Sequence, residues 1–181
     1  MNTPRPRPSS RLLLVLAAVA VTGLGLVRPA SAAPPYCGLT WGSLLKEAGG
    51  PAGPDGPSVT GVRSGHHDCF DRVVVDVAGA PGAGYRVEYA PVAQEGTGDP
   101  VPLRGAADLR VVVLAPSSTL GTDPELVTTT GPTVLQVASA GSFEGQTTLG
   151  VGVRARLPFR VFTLAGPGSG SRLVIDVAHF W

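Results

Sequence analysis

The 181-residue sequence lacks the short motifs of the common hydrolase and nucleotide-binding families. It contains no G-x-S-x-G nucleophile elbow, no H-E-x-x-H zinc motif and no G-x-x-x-x-G-K-[ST] phosphate-binding loop. A hydrolase needs an activated nucleophile or a metal centre. Because the sequence offers no such motif, we expect no enzyme activity and no cofactor.

An excess of positive charge is also missing. Four of the 14 basic residues precede residue 33 and all 13 acidic residues follow it, which leaves ten against thirteen and a net charge of −3. Proteins that bind nucleic acid or an anionic membrane through surface charge carry a basic excess instead. The charge balance therefore excludes both as expected partners.

The N-terminal segment has the organisation of a secretory signal peptide. Three arginines are followed by an apolar run from Leu12 to Val27 and by the small residues Ala30-Ser31-Ala32. The run, about 16 residues long, is shorter than the ~20 that span a bilayer. We predict a signal peptide over residues 1–32 and a secreted or wall-associated chain over residues 33–181, with no membrane span after cleavage. The alternative is an uncleaved anchor.

The sequence has two cysteines, Cys37 and Cys69, and both follow the predicted signal peptide. In an oxidising compartment the simplest arrangement is one disulfide between them. Such a bridge closes a loop of roughly 33 residues and stabilises the fold by about 3.7 kcal/mol in the chain-entropy description. The alternative is two separate thiols.

Short segments rich in valine, leucine and aromatic residues recur along the chain, separated by glycine and proline clusters. They predict an all-β fold with one short N-terminal helix: an antiparallel β-sandwich in a single monomeric domain over residues 33–181. The predicted strands are Val59–Arg63, Phe70–Val77, Tyr85–Ala90, Leu109–Ala115, Thr133–Ala138, Thr147–Arg154, Arg160–Leu164 and Arg172–His179.

The connecting segments carry three further predictions. Trp41–Ala48 is the helix candidate, because Thr40 is placed to cap it and Leu44-Leu45 to pack it. The loop GAPGAG at Gly79–Gly84 predicts a hairpin. The long polar stretch Pro116–Pro132 predicts an excursion over the surface.

A weak internal repeat relates DRVVVDVA, from residue 71, to SRLVIDVA, from residue 171. Each copy has an arginine and an aspartate four residues apart, and these share one face of a strand. One interpretation is a charged binding surface. The other, which we favour, is cross-strand ion pairing on the solvent face, Arg72 with Asp176 and Arg172 with Asp76.

Two histidines and an aspartate stand together at His66-His67-Asp68. Adjacent side chains of an extended segment point to opposite faces, so these three cannot converge on one metal without a turn. His179 adds a ligand only if its strand ends beside this segment. We therefore expect no metal site and interpret the stretch as the polar start of a strand anchored by Cys69.

The candidate ligand-binding residues lie between residues 141 and 160. Alternation along the strand predicts that Arg154 and Arg156 share one exposed face. Arginine forks bind carboxylates, which makes a peptidoglycan stem or an acidic wall polymer a candidate ligand. The alternative is a solvated face paired with acidic neighbours. The full predicted set is Arg154, Arg156, Arg160, Phe143, Glu144 and Gln146.

Four blocks of the sequence resemble the AMIN-like domain family, which occurs in secreted proteins and lipoproteins of Gram-positive bacteria with GC-rich genomes. The blocks are YCGLTWGS from residue 36, HDCFDRVVVD from residue 67, GSFEGQTT from residue 141 and RLVIDVAH from residue 172. They extend over nearly the whole of the chain after residue 32.

The resemblance implies a β-sandwich related to the AMIN domain, which targets cell-wall amidases and secretin pores to the envelope, in some cases by binding peptidoglycan. It implies no catalytic residues. We therefore expect a secreted, non-catalytic module that recognises peptidoglycan or another anionic wall component; an exposed groove lined by aromatic and arginine side chains would favour this function. One alternative is a module that recruits or inhibits a wall enzyme through sheet edges or the Pro116–Pro132 loop, which a flat apolar patch would favour. The other is a small metal-dependent hydrolase, which three converging His and Asp ligands would favour.

Overall fold

Alternating apolar side chains build two antiparallel sheets. The structure, a computed structural model, describes residues 35–50 and 56–181, so the predicted signal peptide over residues 1–32 lies outside the described residues. Within the described ranges no helix is both long enough and apolar enough to cross a membrane. The elements are a 3₁₀ turn, Tyr36–Gly38, and nine strands: β1 Lys46–Ala48, β2 Ser58–His66, β3 Phe70–Ala78, β4 Tyr85–Tyr89, β5 Ala107–Val113, β6 Val134–Phe143, β7 Gln146–Val153, β8 Phe159–Ala165 and β9 Ser171–Ala178.

The two sheets share one hydrophobic core. One sheet has the strand order β1-β4-β5-β7-β6 and the other β2-β3-β9-β8, with antiparallel pairing between neighbours. Every second residue of β3 is buried, because the strand periodicity of two sends Val73, Val75 and Val77 inward. They join Leu109 and Leu149 of the other sheet in the core. The predicted antiparallel β-sandwich is confirmed.

All eight predicted strands are present, as β2 to β9. The largest difference in extent is at β6, which continues to Phe143 instead of ending at Ala138. β6 and β7 form a hairpin in which Phe143 pairs with Gln146, and this pairing accounts for the extra length.

The helix predicted over Trp41–Ala48 is wrong. In the described residues this segment is extended: Gly42 forms a bridge with Phe159, and β1 pairs with β4 as an edge strand. Pairing with β4 satisfies backbone groups that a short helix would leave open at its ends, so tertiary contacts override the helix propensity. Leu44 is consequently 75% exposed.

The two loop predictions have different outcomes. Gly79–Gly84 is not a hairpin, because β3 and β4, which it connects, belong to different sheets. A glycine-rich turn reverses the chain equally well between sheets and within one. The segment Pro116–Pro132 contains no strand and is mostly exposed, as predicted. It covers the edge of β6, where the Leu126 amide donates to the Val137 carbonyl over 2.8 Å.

Cys37 and Cys69 form the predicted disulfide. The bond ties the 3₁₀ turn to the residue that precedes β3. A hydrogen bond of 3.0 Å from the His179 amide to the Cys69 carbonyl also connects this residue to the end of β9. The start of β3, the end of β9 and the N-terminal segment are thereby joined at one end of the sandwich.

Candidate functional site

The outer surface of the four-stranded sheet carries an unusual concentration of arginine and aromatic side chains. The strand alternation that buries Val73 and Val75 turns Phe70 and Arg72 outward from β3. On the neighbouring strands Asp176 lies opposite both Arg72 and Arg160 in the registers of the β3–β9 and β8–β9 pairs. The pairing of β9 with β3 and β8 thus places one carboxylate between two guanidinium groups.

Asp176 binds both arginines tightly. Arg72 donates from Nε to Oδ1 at 2.6 Å and from Nη2 to Oδ2 at 2.9 Å. Arg160 approaches Oδ2 with Nε at 2.8 Å and Nη2 at 2.7 Å. The Asp176 side chain is completely buried, whereas those of Arg72 and Arg160 are 25% and 27% exposed. The buried Asp176 carboxylate therefore holds the two arginines in position, and their guanidinium groups are the part exposed at the surface.

Aromatic rings enclose these guanidinium groups. The Arg72 guanidinium lies 5.1 Å from the Phe70 ring centroid and 5.6 Å from that of Phe162. The Arg160 guanidinium lies 5.3 Å and 5.1 Å from the same two centroids and 5.5 Å from that of Trp41. Such contacts immobilise the cations. Among the residues that the structure describes, the guanidinium groups of Arg72 and Arg160 donate hydrogen bonds to Asp176 alone. We call Trp41, Phe70, Arg72, Phe162, Arg160 and Asp176 the arginine–aromatic face.

The arginine–aromatic face has a net positive charge after its arginines pair with Asp176. Two guanidinium groups share one carboxylate, which leaves one net positive charge at the centre of the face. A guanidinium has five N–H donors. Asp176 accepts hydrogen bonds from two donors of Arg72 and from Nε of Arg160, whose Nη2 also lies 2.7 Å from Oδ2. The surface is suited to an anionic ligand with a flat or apolar part that stacks on the rings.

The other half of the repeat is paired differently from the prediction. Asp76 lies opposite Arg172 in the β3–β9 register, but it accepts hydrogen bonds of 2.9 and 2.7 Å from Arg63 of β2. Arg172 instead donates to the Ala165 carbonyl at 3.2 Å. The prediction of an Arg172–Asp76 pair is wrong because β2, an additional neighbour of β3, supplies a better-placed arginine. The Arg72–Asp176 pair is confirmed.

A second polar cluster lies at the disulfide end of the sandwich. Asp71, on the inner side of β3, accepts hydrogen bonds at Oδ1 from His66 Nδ1 at 2.9 Å and from His179 Nε2 at 3.1 Å. Its Oδ2 accepts the backbone amides of Thr133 at 2.7 Å and Val134 at 2.9 Å. We call His66, Asp71 and His179 the histidine–aspartate cluster.

The histidine–aspartate cluster favours the ionised form of its carboxylate. Burial alone raises the pKa of Asp71, but the hydrogen bonds from His66, from the amides of Val134 and Thr133 and from His179 outweigh it. The pKa of Asp71 is therefore lower than that of an ordinary aspartate. A buried anion with four donors around it is held in one orientation.

The predicted arginines occupy two separate places. Arg160 belongs to the arginine–aromatic face. Arg154 and Arg156 are both exposed, but β7 ends at Val153 and they lie in the bend that follows it. Arg154 donates to the His179 carbonyl at 2.7 Å, and Arg156 stacks over Tyr89 with 4.9 Å between the guanidinium and the ring centroid.

Phe143, Glu144 and Gln146 lie at the opposite end of β7 from Arg154. They form the β6–β7 turn, in which Glu144 and Gly145 have positive φ angles of 48° and 83°. The eight residues of β7 separate the two groups by roughly 25 Å. The structure therefore does not bring the six predicted residues into one site.

The glycines of β7 have a packing role. A Cβ on Gly152 would lie 2.2 Å from the Arg104 carbonyl oxygen, and one on Gly150 would lie 2.9 Å from the Leu103 side chain. The segment around residues 103–104 crosses this face of β7 and covers it. Gly150 and Gly152 therefore allow residues 103–104 of the same chain to pack closely against β7, and they do not leave room for a ligand.

Sequence reasoning missed Trp41, Phe70 and Phe162 as site residues and missed Asp71 entirely. The Arg-x-x-x-Asp repeat was the sequence feature that pointed to the arginine–aromatic face, because it predicted Arg72 and Asp176 on one surface of a sheet. For the cluster, the signal was the antiparallel pairing of the two repeat copies, which brings the end of β9 to the start of β3. His67 and Asp68, which the sequence places next to His66, are not in the cluster.

A comparison with protein-family models matches residues 57–179 to the family described as the AMIN-like domain. The match covers more than half of the chain and contains β2 to β9 in full. Comparisons with curated proteins and with solved structures find no match.

Proposed function

The chain belongs to the AMIN-like domain family, and from this premise we propose that it is a secreted, non-catalytic module of the bacterial cell envelope that binds peptidoglycan or another anionic wall polymer. Domains of this family are generally binding modules associated with the envelope. The arginine–aromatic face is the proposed binding surface. The observation that carries the proposal is the pair of guanidinium groups held by buried Asp176 between aromatic rings.

The chemistry of the face corresponds to that of the proposed ligand. Peptidoglycan combines sugar rings with the carboxylates of its stem peptides. Half-buried aromatic rings such as Trp41 and Phe162 offer flat apolar surfaces for a sugar ring, while the free N–H donors of Arg72 and Arg160 match a carboxylate. Because Asp176 and the rings already fix both arginines, little side-chain entropy is lost when a ligand binds.

Arg160→Ala tests the proposal with little risk to the fold. Arg72 donates to both carboxylate oxygens of Asp176, so the buried anion remains paired when Arg160 is removed. Loss of a charge-assisted hydrogen bond costs about 1.5–3 kcal/mol, so retention on purified wall peptidoglycan should weaken by roughly 10- to 150-fold. Retention of the parent protein should also decrease with added salt.

Arg86→Ala is the matched control. Arg86 also lies on a strand and bonds to carboxylates, Glu88 at 3.0 Å and Glu47 at 3.2 Å, but it belongs to the other sheet. It should bind wall material as the parent does. A double variant, Arg154→Ala with Arg156→Ala, tests whether the originally predicted arginines contribute as well. Equal retention of parent and Arg160→Ala would remove the arginine–aromatic face as the binding surface.

A second candidate function is that of a protein-interaction module, favoured by one observation. β1 is an edge strand, and the exposed side chains of Leu44 and Leu45 directly precede it. An exposed strand edge beside apolar side chains is the arrangement that accepts an added strand from a partner. Under this alternative, Leu44→Ser with Leu45→Ser would abolish capture of an envelope enzyme and leave retention on peptidoglycan unchanged.

A further inference from the structure

The histidine–aspartate cluster brings three metal-binding donors together, each from a different strand or strand end. His66 Nδ1, an Asp71 carboxylate oxygen and His179 Nε2 all lie within 4.8 Å of one another. We infer that this cluster is a binding site for a divalent transition metal such as zinc. Two imidazole nitrogens and one carboxylate oxygen are a ligand set that zinc accepts, with its fourth position open to water.

Strand pairing positions the residues of the three proposed ligands close together in the absence of metal. His66 and Asp71 are directly paired across the β2–β3 hairpin, and Asp71 pairs with Val177, two residues before His179. The amides of Thr133 and Val134 fix the second oxygen of Asp71 and leave Oδ1 directed at the two rings. Carboxylates that are oriented by such outer hydrogen bonds are typical of metal sites.

The packing closes the site on one side and leaves it open on another. A Cβ added to Gly131 would lie 1.8 Å from Asp71 Oδ1, so the backbone of this glycine fits against the carboxylate where a side chain could not. His179 is 7% exposed, whereas the His66 side chain is 46% exposed. A metal ion therefore has an approach past His66, and the buried groups need not move far.

Metal binding requires a change of tautomer that the site permits. Without metal, Asp71 Oδ1 accepts hydrogen bonds from His66 Nδ1 and His179 Nε2, so each ring carries its proton on the nitrogen that faces the carboxylate. A metal takes the lone pair of each facing nitrogen, and the proton moves to the other nitrogen of that ring or to water. For the half-exposed His66, the second nitrogen exchanges its proton directly with solvent.

The consecutive residues His66, His67 and Asp68 predict no metal site, because their side chains point to alternate faces and His179 adds a ligand only if its strand ends beside them. Those three still do not converge, and the structure replaces two of them with Asp71 and His179. His67 is exposed and stacks on Phe70 with 4.7 Å between the ring centroids. It therefore offers a control histidine one residue away from a proposed ligand.

The test is calorimetric titration of zinc chloride into chelator-treated protein that carries no histidine tag. The parent should bind one zinc ion, and its melting temperature should rise with zinc concentration. His66→Ala removes the exposed ligand and leaves the two buried ones, so the fold should persist while zinc affinity falls by at least about tenfold. His67→Ala should bind zinc as the parent does.

Asp71→Asn provides a second variant, which keeps an acceptor for the Thr133 and Val134 amides and removes the negative charge. Circular dichroism before titration shows whether each variant is folded. The inference is supported if His66→Ala and Asp71→Asn lose zinc affinity while His67→Ala keeps it. No zinc binding by the parent, or equal losses in His66→Ala and His67→Ala, would overturn it.

Discussion

Replacing each repeat aspartate by alanine tests the structural logic of the arginine–aromatic face. Asp76 and Asp176 occupy equivalent positions in DRVVVDVA and SRLVIDVA. Their surroundings differ, because Asp176 is completely buried between two arginines, whereas Asp76 is 29% exposed and pairs with Arg63, itself 58% exposed. We expect Asp176→Ala to be strongly destabilising and Asp76→Ala to have little effect.

The magnitudes follow from burial. Removing one member of a buried ion pair leaves an uncompensated charge and costs about 3–5 kcal/mol, and Asp176→Ala strands two arginines at once. An exposed pair such as Arg63–Asp76 contributes about 0–1 kcal/mol. With a urea m-value of about 2 kcal/mol/M, Asp176→Ala should lower the unfolding midpoint by about 2 M, against less than about 0.5 M for Asp76→Ala.

Equilibrium urea unfolding with the disulfide intact measures both variants. A triple change, Arg72→Met, Asp176→Leu and Arg160→Met, serves as the control, because replacing all three charges together by apolar groups should restore most of the lost stability. Equal midpoints for Asp176→Ala and Asp76→Ala would refute the argument from burial. A triple variant no more stable than Asp176→Ala would show that packing, and not the stranded charge, is responsible.

Two further predictions concern the rest of the fold. Replacing Cys37 and Cys69 by alanine should lower the free energy of unfolding by about 3–4 kcal/mol, and mass spectrometry of the non-reduced protein should find their peptides linked; alkylation of both thiols in native, non-reduced protein would contradict this. Burial raises the pKa of Tyr89 to about 12, although the hydrogen bond that its hydroxyl oxygen accepts from the Leu157 amide opposes the shift. Its stabilising contribution is therefore complete below pH ~10, the ordinary tyrosine value, and lost as the pH rises through about 12. Ultraviolet absorbance should show a phenol titrating near that upper value, and Tyr89→Phe should abolish it; unchanged high-pH titration in that variant would show that the assignment is wrong.

The strands were predictable because their pattern is local. In β3 valine recurs at every second position, Val73, Val75 and Val77, and a buried face of period two identifies a strand without knowledge of its partner. β1 was not predictable in this way, since Lys46, Glu47 and Ala48 have no such alternation and form a strand through their pairing with β4. The same holds for the Gly79–Gly84 loop. Its glycine and proline residues indicate that the chain reverses there, but they do not indicate which sheet the next strand joins.

The candidate site was predictable in part, for a related reason. The repeat indicated that Arg72 and Asp176 face each other once β3 and β9 are neighbours, and they do. Arg160 joins them because β8 lies beside β9. Trp41 contacts Arg160 because the segment predicted as a helix is extended. The rings that give the face its chemistry come from chain segments far apart in sequence, which local patterns do not relate.

The most direct test of the proposed function is a map of where soluble peptidoglycan fragments contact the protein. Titration of muropeptides into ¹⁵N-labelled protein, followed by amide chemical shifts, reports binding at each strand separately. If the arginine–aromatic face binds these fragments, the largest shifts should occur at Phe70, Arg72, Phe162 and Asp176 and in the segment around Trp41. Shifts centred on the β6–β7 turn or on Arg154 and Arg156, or no shifts at saturating fragment concentration, would contradict it.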